Sequence, residues 1–112
     1  AVHGAALCAS SGEILLVRED VGRHNALDKL LGAVAKTDAE GGFETCKGFI
    51  LVTSRASYEM VLKTVSARIP ILAAVSAPTS LAIELADKTG LTLVGFVRKG
   101  RHVVYSNGKR LE

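Results

Sequence analysis

Residues 48–80 read GFILVTSRASYEMVLKTVSARIPILAAVSAPTS, and their pattern decides the fold. Phe49-Ile50-Leu51-Val52-Thr53 is an unbroken apolar run, as in a strand buried on both faces. Ser57 to Arg68 predicts a helix, with Met60, Val61, Val65 and Tyr58 facing inward. Pro70 ends it, and Ile71-Leu72-Ala73-Ala74-Val75 is a second buried strand. Strand, helix, strand at this spacing is a parallel unit with a right-handed crossover.

The pattern extends in both directions. Downstream, Pro78 precedes a helix from Thr79 to about Lys88, which Gly90 terminates. Leu91 to Val97 is a strand, Gly100 a turn, and His102-Val103-Val104-Tyr105 a last strand before Asn107-Gly108. Upstream, His3–Ala9 and Glu13–Glu19 form a hairpin about Ser10-Ser11-Gly12. Asp20 is a candidate cap for a helix from Gly22 to about Lys36, whose Ala26, Leu27, Leu30, Leu31 and Val34 recur at helical spacing. Asp38 to Glu44 is a polar loop. The expected fold is α/β: a three-layer α/β/α domain around a mixed, mostly parallel sheet.

Composition is consistent with one domain over residues 1–112. Hydrophobic residues are 48% of the chain and charged residues 22%, enough for one core and unlike a disordered chain. No apolar run reaches the ~20 residues of a membrane-spanning helix. The chain opens on Ala1 with no basic-then-apolar leader, so the expectation is no secretory signal. The missing initiator Met suggests a fragment or a processed chain. Cys8 and Cys46 stand alone in their segments, which fits free thiols in a reducing cytoplasm and provides no Cys-x-x-Cys.

The net charge of +3 is uneven. Residues 98–112 hold Arg98, Lys99, Arg101, Lys109 and Arg110 against Glu112, which gives +4 and leaves −1 for the rest. That points to a local anion site or to a solvated tail, not to a nucleic-acid-coating stripe. Aromatics at 4% are too few for a base-stacking platform, and neither nucleic acid nor membrane is expected as a partner.

In an open α/β sheet, ligands bind beyond the carboxyl ends of the strands. Those positions here are Arg18 to Asn25, with Arg23 and His24; Thr53 to Ser57, with Ser54 and Arg55; Ser76 to Ser80; and Arg98 to Arg101. Cations in three of the four loops, beside helix N-termini, suit a phosphorylated ligand. Ser54, Ser57, Ser76, Thr79 and Ser80 equally fit helix caps that need no ligand.

Motifs for most enzyme chemistries are missing. There is no Gly-x-Gly-x-x-Gly, Walker loop, Gly-x-Ser-x-Gly or His-Glu-x-x-His. The element order resembles the zinc nucleobase deaminases. Their His- or Cys-x-Glu and Pro-Cys-x-x-Cys are replaced by Gly22-Arg23-His24 and Ser54-Arg55-Ala56-Ser57, so no zinc and no deamination are expected.

Glu19-Asp20-Val21-Gly22-Arg23-His24-Asn25-Ala26-Leu27-Asp28-Lys29 is far more specific than a short pattern. It resembles the formate dehydrogenase accessory protein family, FdhD. Support comes from His3 to Leu7, Thr53 to Met60, Ser76 to Ala82 and Phe96 to Arg101, which together span the chain. The resemblance implies an accessory sulfurtransferase. It accepts sulfur from a cysteine desulfurase and passes it to the molybdenum bis(molybdopterin guanine dinucleotide) cofactor, bound transiently, before insertion into formate dehydrogenase. It also implies a cytoplasmic homodimer and a cytidine-deaminase-like C-terminal domain without zinc.

The resemblance places cofactor binding on Phe96, Val97, Arg98, Lys99, Gly100 and Arg101, and the loops at the strand ends offer Arg23, His24, Ser54, Arg55 and Ser76 as further lining. The family's persulfide Cys-x-x-Cys lies upstream of the matched region, so no catalytic residue is assigned to Cys8 or Cys46. The chain thus reads as the family's C-terminal domain, contributing cofactor binding and not sulfur relay. The alternative is a non-catalytic guanine-nucleotide-binding or protein-interaction module. Strand alternation further predicts Phe96 and Arg98 on one side of the sheet.

Overall fold

The computed structural model describes residues 2–39, 41–42 and 44–112. The side chains at 38, 39 and 46 are not among those described, so the expectations for Cys46 lie outside them. Among the described residues six strands and three helices follow in order: β1 (His3–Ala9), β2 (Ile14–Asp20), α1 (Arg23–Ala39), β3 (Gly48–Val52), α2 (Tyr58–Ser66), β4 (Ile71–Ala74), α3 (Ser80–Thr89), β5 (Thr92–Arg98) and β6 (Arg101–Ser106). Short 3-10 turns sit at Thr45–Lys47 and Gly108–Leu111. No helix among the described residues is long and apolar enough to cross a membrane.

The strands form one sheet in the order β2-β1-β3-β4-β5-β6. Among the described residues only β3–β4 and β4–β5 pair in parallel; β1–β2, β1–β3 and β5–β6 are antiparallel. The sheet is therefore mixed and not mostly parallel. Hairpins at both ends of the chain cause this, because a tight turn reverses direction and only a crossover helix preserves it.

The helices start and stop where local chemistry dictates. Ser57 caps α2 by accepting from Met60 N at 3.3 Å, and Thr79 caps α3 by accepting from Ala82 N at 3.2 Å. Gly90 closes α3 with a left-handed φ of 80°. Asp20 accepts from Gly22 N at 2.9 Å and holds the turn that enters α1. Tyr58, expected inside, is instead exposed; it is the first residue of α2, before the face that buries Met60 and Val61 is established.

All three helices cover one face of the sheet. Leu27 and Leu30 of α1, Met60 and Val61 of α2, and Ala82 and Ala86 of α3 join one core with Leu7, Ile50, Leu72 and Leu93 of the sheet. Register makes Leu7, Ile50, Leu72 and Leu93 successive partners, so they share that face. Lys63 of α2 pairs with Asp28 of α1 at 2.9 Å, which confirms that these helices are neighbours. The expectation of helices on both faces is corrected: within these residues the domain has two layers. Two successive right-handed crossovers moving the same way along the sheet put α2 and α3 on the same side.

Candidate functional site

β2, β3, β4 and β5 all run in the same direction, because β1 is antiparallel to both of its neighbours. The four loops that follow these strands therefore open onto one edge of the sheet. His3, at the start of β1, joins them opposite Asp20.

The β5–β6 hairpin dominates this edge. Arg98 lies opposite Arg101 across a two-residue loop, Lys99-Gly100. Gly100 takes a φ of 76°, a conformation side chains disfavour, so the loop itself requires glycine. Behind it the register slips between Gly95 and Arg98. Phe96 has a φ of 52° and is 44% exposed. A bulky residue in left-handed backbone is strained, and such strain collects at functional positions. Simple alternation thus fails at Phe96. The bulge, not the strand period, brings Phe96 and Arg98 to one cavity of about 560 Å³, lined also by Gly100, Arg101, His102 and Val103.

Hydrogen bonds tie this hairpin to the loop after β4. Arg98 Nη1 donates to Val75 O at 2.8 Å, and Phe96 N donates to Ser76 O at 3.3 Å. Arg55 Nε donates to Ala77 O at 3.3 Å from the other side. One short loop thereby gathers Phe96, Arg98, Ser76 and Arg55, with the N-termini of α2 and α3 beside it.

The remaining expected residues divide. Ser54 is buried, donates to Arg55 O at 3.2 Å and faces the Met60 sulfur, so it shapes the loop from inside. Val97 lines a second hollow on the helix-free face, while the exposed Lys99 lines neither. Arg23 is exposed at the start of α1. His24 Nδ1 is buried with no hydrogen-bond partner among the described residues, and lies 4.0 Å from Glu59 Oε2. Lys109 and Arg110 depart from the cluster: Arg110 donates to Gly90 O at 2.6 Å, at the opposite edge. The basic tail is thus two separate poles.

Sequence reasoning missed His102 and Val103, read only as strand residues. The signal was there, since a two-residue hairpin loop must return the chain beside Phe96. It also missed the anchor under the α1 turn. Lys29 Nζ lies 2.6 Å from Asp20 Oδ2, and this ammonium, with the Gly22 N–H, pulls the Asp20 carboxyl down to about 2. Burial pushes the Cys8 thiol above its ordinary value. Among the described residues, no three His, Cys, Asp or Glu side chains group as metal donors.

Comparison with known proteins adds the family. The chain is 61% identical over 111 residues to the sulfur carrier protein FdhD of Variovorax paradoxus, covering 99% of this chain and 38% of that protein. It is 57% identical over 112 residues to that of Cupriavidus necator, covering 100% and 38%. It thus spans only about 38% of the length of these curated relatives. A crystal structure assigned to a formate dehydrogenase accessory protein from Desulfotalea psychrophila superposes with a TM-score of 0.87 at 36% identity, over 97% of this chain and 45% of that one. The FdhD/NarQ family model matches residues 1–112 from end to end, and the chain belongs to that family.

Proposed function

We propose that this chain is the cofactor-holding part of a sulfur carrier that serves formate dehydrogenase. The observation that carries the reading is its 61% identity, over nearly its whole length, to a protein named a sulfur carrier. It corresponds to the C-terminal domain of the longer family chain and acts in the cytoplasm as a homodimer. Sulfur accepted from a cysteine desulfurase passes to the molybdenum bis(molybdopterin guanine dinucleotide) cofactor, which is cargo here, before insertion into the dehydrogenase. The persulfide cysteine belongs to the family's Cys-x-x-Cys loop, and the residues described here do the holding.

The cavity at the β5–β6 hairpin suits the guanine dinucleotide part of that cargo. Arg98 and Arg101 face each other and supply forked donors for phosphate oxygens. The exposed Phe96 ring offers an apolar platform for a base. Ser76 and Arg55 flank the same loop, and two helix N-termini add partial positive charge.

GDP, as a half-cofactor mimic, tests the site by calorimetric titration. Each desolvated charge-assisted contact contributes roughly 1.5–3 kcal/mol. Arg98→Ala with Arg101→Ala should therefore weaken GDP by about two orders of magnitude or more. Equal affinity in both proteins would remove this hairpin from the site.

A further inference from the structure

Arg98, Arg101 and His102 of the β5–β6 hairpin line both the cavity of about 560 Å³ and the neighbouring hollow of about 400 Å³. The two arginines carry fixed charge, and the histidine has so far been given no part. His102 is exposed and has no hydrogen-bond or ion-pair partner among the described residues. His24, by contrast, lies 4.0 Å from a carboxylate oxygen of Glu59. The other elements around the hollows bring His102 no charge: β3 contributes Phe49, β4 Ile71 and Ala73, and the turn at Gly108–Leu111 contributes Leu111. Lys99, exposed in the hairpin loop, lines neither hollow, and among the described residues no carboxylate lines either one. Arg98 has already given Nη1 to the carbonyls of Val75 and Val97, at 2.8 and 2.9 Å. Part of its fork is thus spent within the protein, which leaves fewer donors for a ligand.

We propose that His102 is the third phosphate contact of this site and holds a diphosphate ester as its imidazolium, so that a proton enters with the ligand. The proton comes from solvent and forms one N–H bond on the ring; no other bond changes. This rests on reading the hairpin as the nucleotide-holding site. Imidazole is the side chain that gains or loses charge between about pH 5 and 8, and a nearby anion favours its charged form. The charged ring has two N–H donors and sets no lone pair against a phosphate oxygen. The diphosphate of a guanine dinucleotide is an ester at both ends and has no proton of its own to exchange near neutrality. The proton taken up therefore lands on the protein. The grip tightens as pH falls toward about 6 and loosens as it rises toward about 8.

Calorimetric titration tests this with GDP-mannose, a guanosine diphosphate ester that, unlike GDP, has no terminal phosphate titrating near pH 6. Titrations at pH 7 and constant salt, in two buffers of different ionisation enthalpy, give the protons taken up per ligand bound. The wild type should take up roughly half a proton or more, and His102→Gln none. Wild-type affinity should fall about tenfold from pH 6 to pH 8, while that of His102→Gln changes less than about twofold. His102→Lys, charged throughout this range, should keep the tighter binding at pH 8 without proton uptake. Wild-type binding without proton uptake, or the same uptake in His102→Gln, would overturn the role of His102 and leave the nucleotide site standing. No binding by the wild type at either pH would overturn the site itself, and this proposal with it.

Discussion

Arg98 reaches back across the sheet edge and donates from Nη1 to the carbonyl of Val75 at 2.8 Å, while also holding its own Val97 carbonyl at 2.9 Å. One arginine thus fixes the end of β5 against the end of β4. Its guanidinium is held in orientation before any ligand arrives, so less freedom is lost on binding. Arg98→Lys keeps the charge and loses the planar fork. GDP affinity measured by calorimetry should fall about tenfold, roughly 1.4 kcal/mol. Wild-type affinity in that variant would mean that charge alone acts here.

Gly95 permits the same approach from within the strand. A Cβ built there would lie 2.8 Å from Tyr105 Cε2, 3.0 Å from Pro78 Cδ and 3.2 Å from Ser76 O. Pro78 and the Ser76 backbone have little room to yield. Gly95→Ala should cost about 1–3 kcal/mol by overpacking. It should also displace the 76–78 loop and weaken GDP. An unchanged urea midpoint would show that the loop moves freely and does not set the site.

These two contacts mark the boundary of what the sequence discloses. The apolar runs at 49–53 and 71–75 and the caps Ser57, Thr79 and Gly90 were legible because they obey local rules. So was the edge that collects the loops, given parallel central strands. A helical period, however, shows that α1 buries Leu27 and Leu30 without saying on which side of the sheet. The number of parallel pairs depends on where hairpins join the sheet. The bulge at Phe96 has no period of its own, and it displaced an alternation that otherwise read correctly. Arg110 lies near Arg98 in sequence and at the far edge in space, which charge counting along the chain does not reveal.

The Asp20–Lys29 pair makes one contribution to stability depend on pH. Asp20 sits at about 2 in the folded chain, below the roughly 3.9 of an unfolded aspartate. A depressed carboxyl stabilises the fold fully above its unfolded value and loses that contribution as pH falls through the folded one. The loss therefore falls between about pH 4 and about pH 2. Asp20→Asn should be less stable than wild type at neutral pH, and the gap between them should narrow across that window. Denaturation midpoints at several pH values measure it. A gap that stays constant down to pH 2 would mean that Asp20 acts only through its turn geometry.

Cys8 is 2% exposed and its thiol is pushed up by burial. Both features suppress the thiolate that attacks electrophiles. Native protein at neutral pH should alkylate Cys8 far more slowly than the same protein in denaturant. Cys8→Ser in a full-length family chain should leave sulfur transfer intact. Rapid native alkylation, or lost transfer with folding preserved, would return a sulfur-handling role to this residue.

Phe96 separates strain from recognition. Its φ of 52° costs energy that a leucine at the same position would share, since both carry a Cβ and a bulky side chain. Phe96→Leu should therefore leave stability nearly unchanged while removing the aromatic face. Stacking of a base on an aromatic ring is worth about 1–3 kcal/mol, so GDP should weaken by roughly tenfold or more. Phe96→Asn makes the converse comparison, because asparagine tolerates left-handed backbone and also lacks the ring. It should match leucine in lost affinity and regain some of the strain energy, seen as a higher urea midpoint than that of Phe96→Leu. Undiminished GDP binding by Phe96→Leu would show that the ring is exposed for some other partner and that the base lies elsewhere in the cavity.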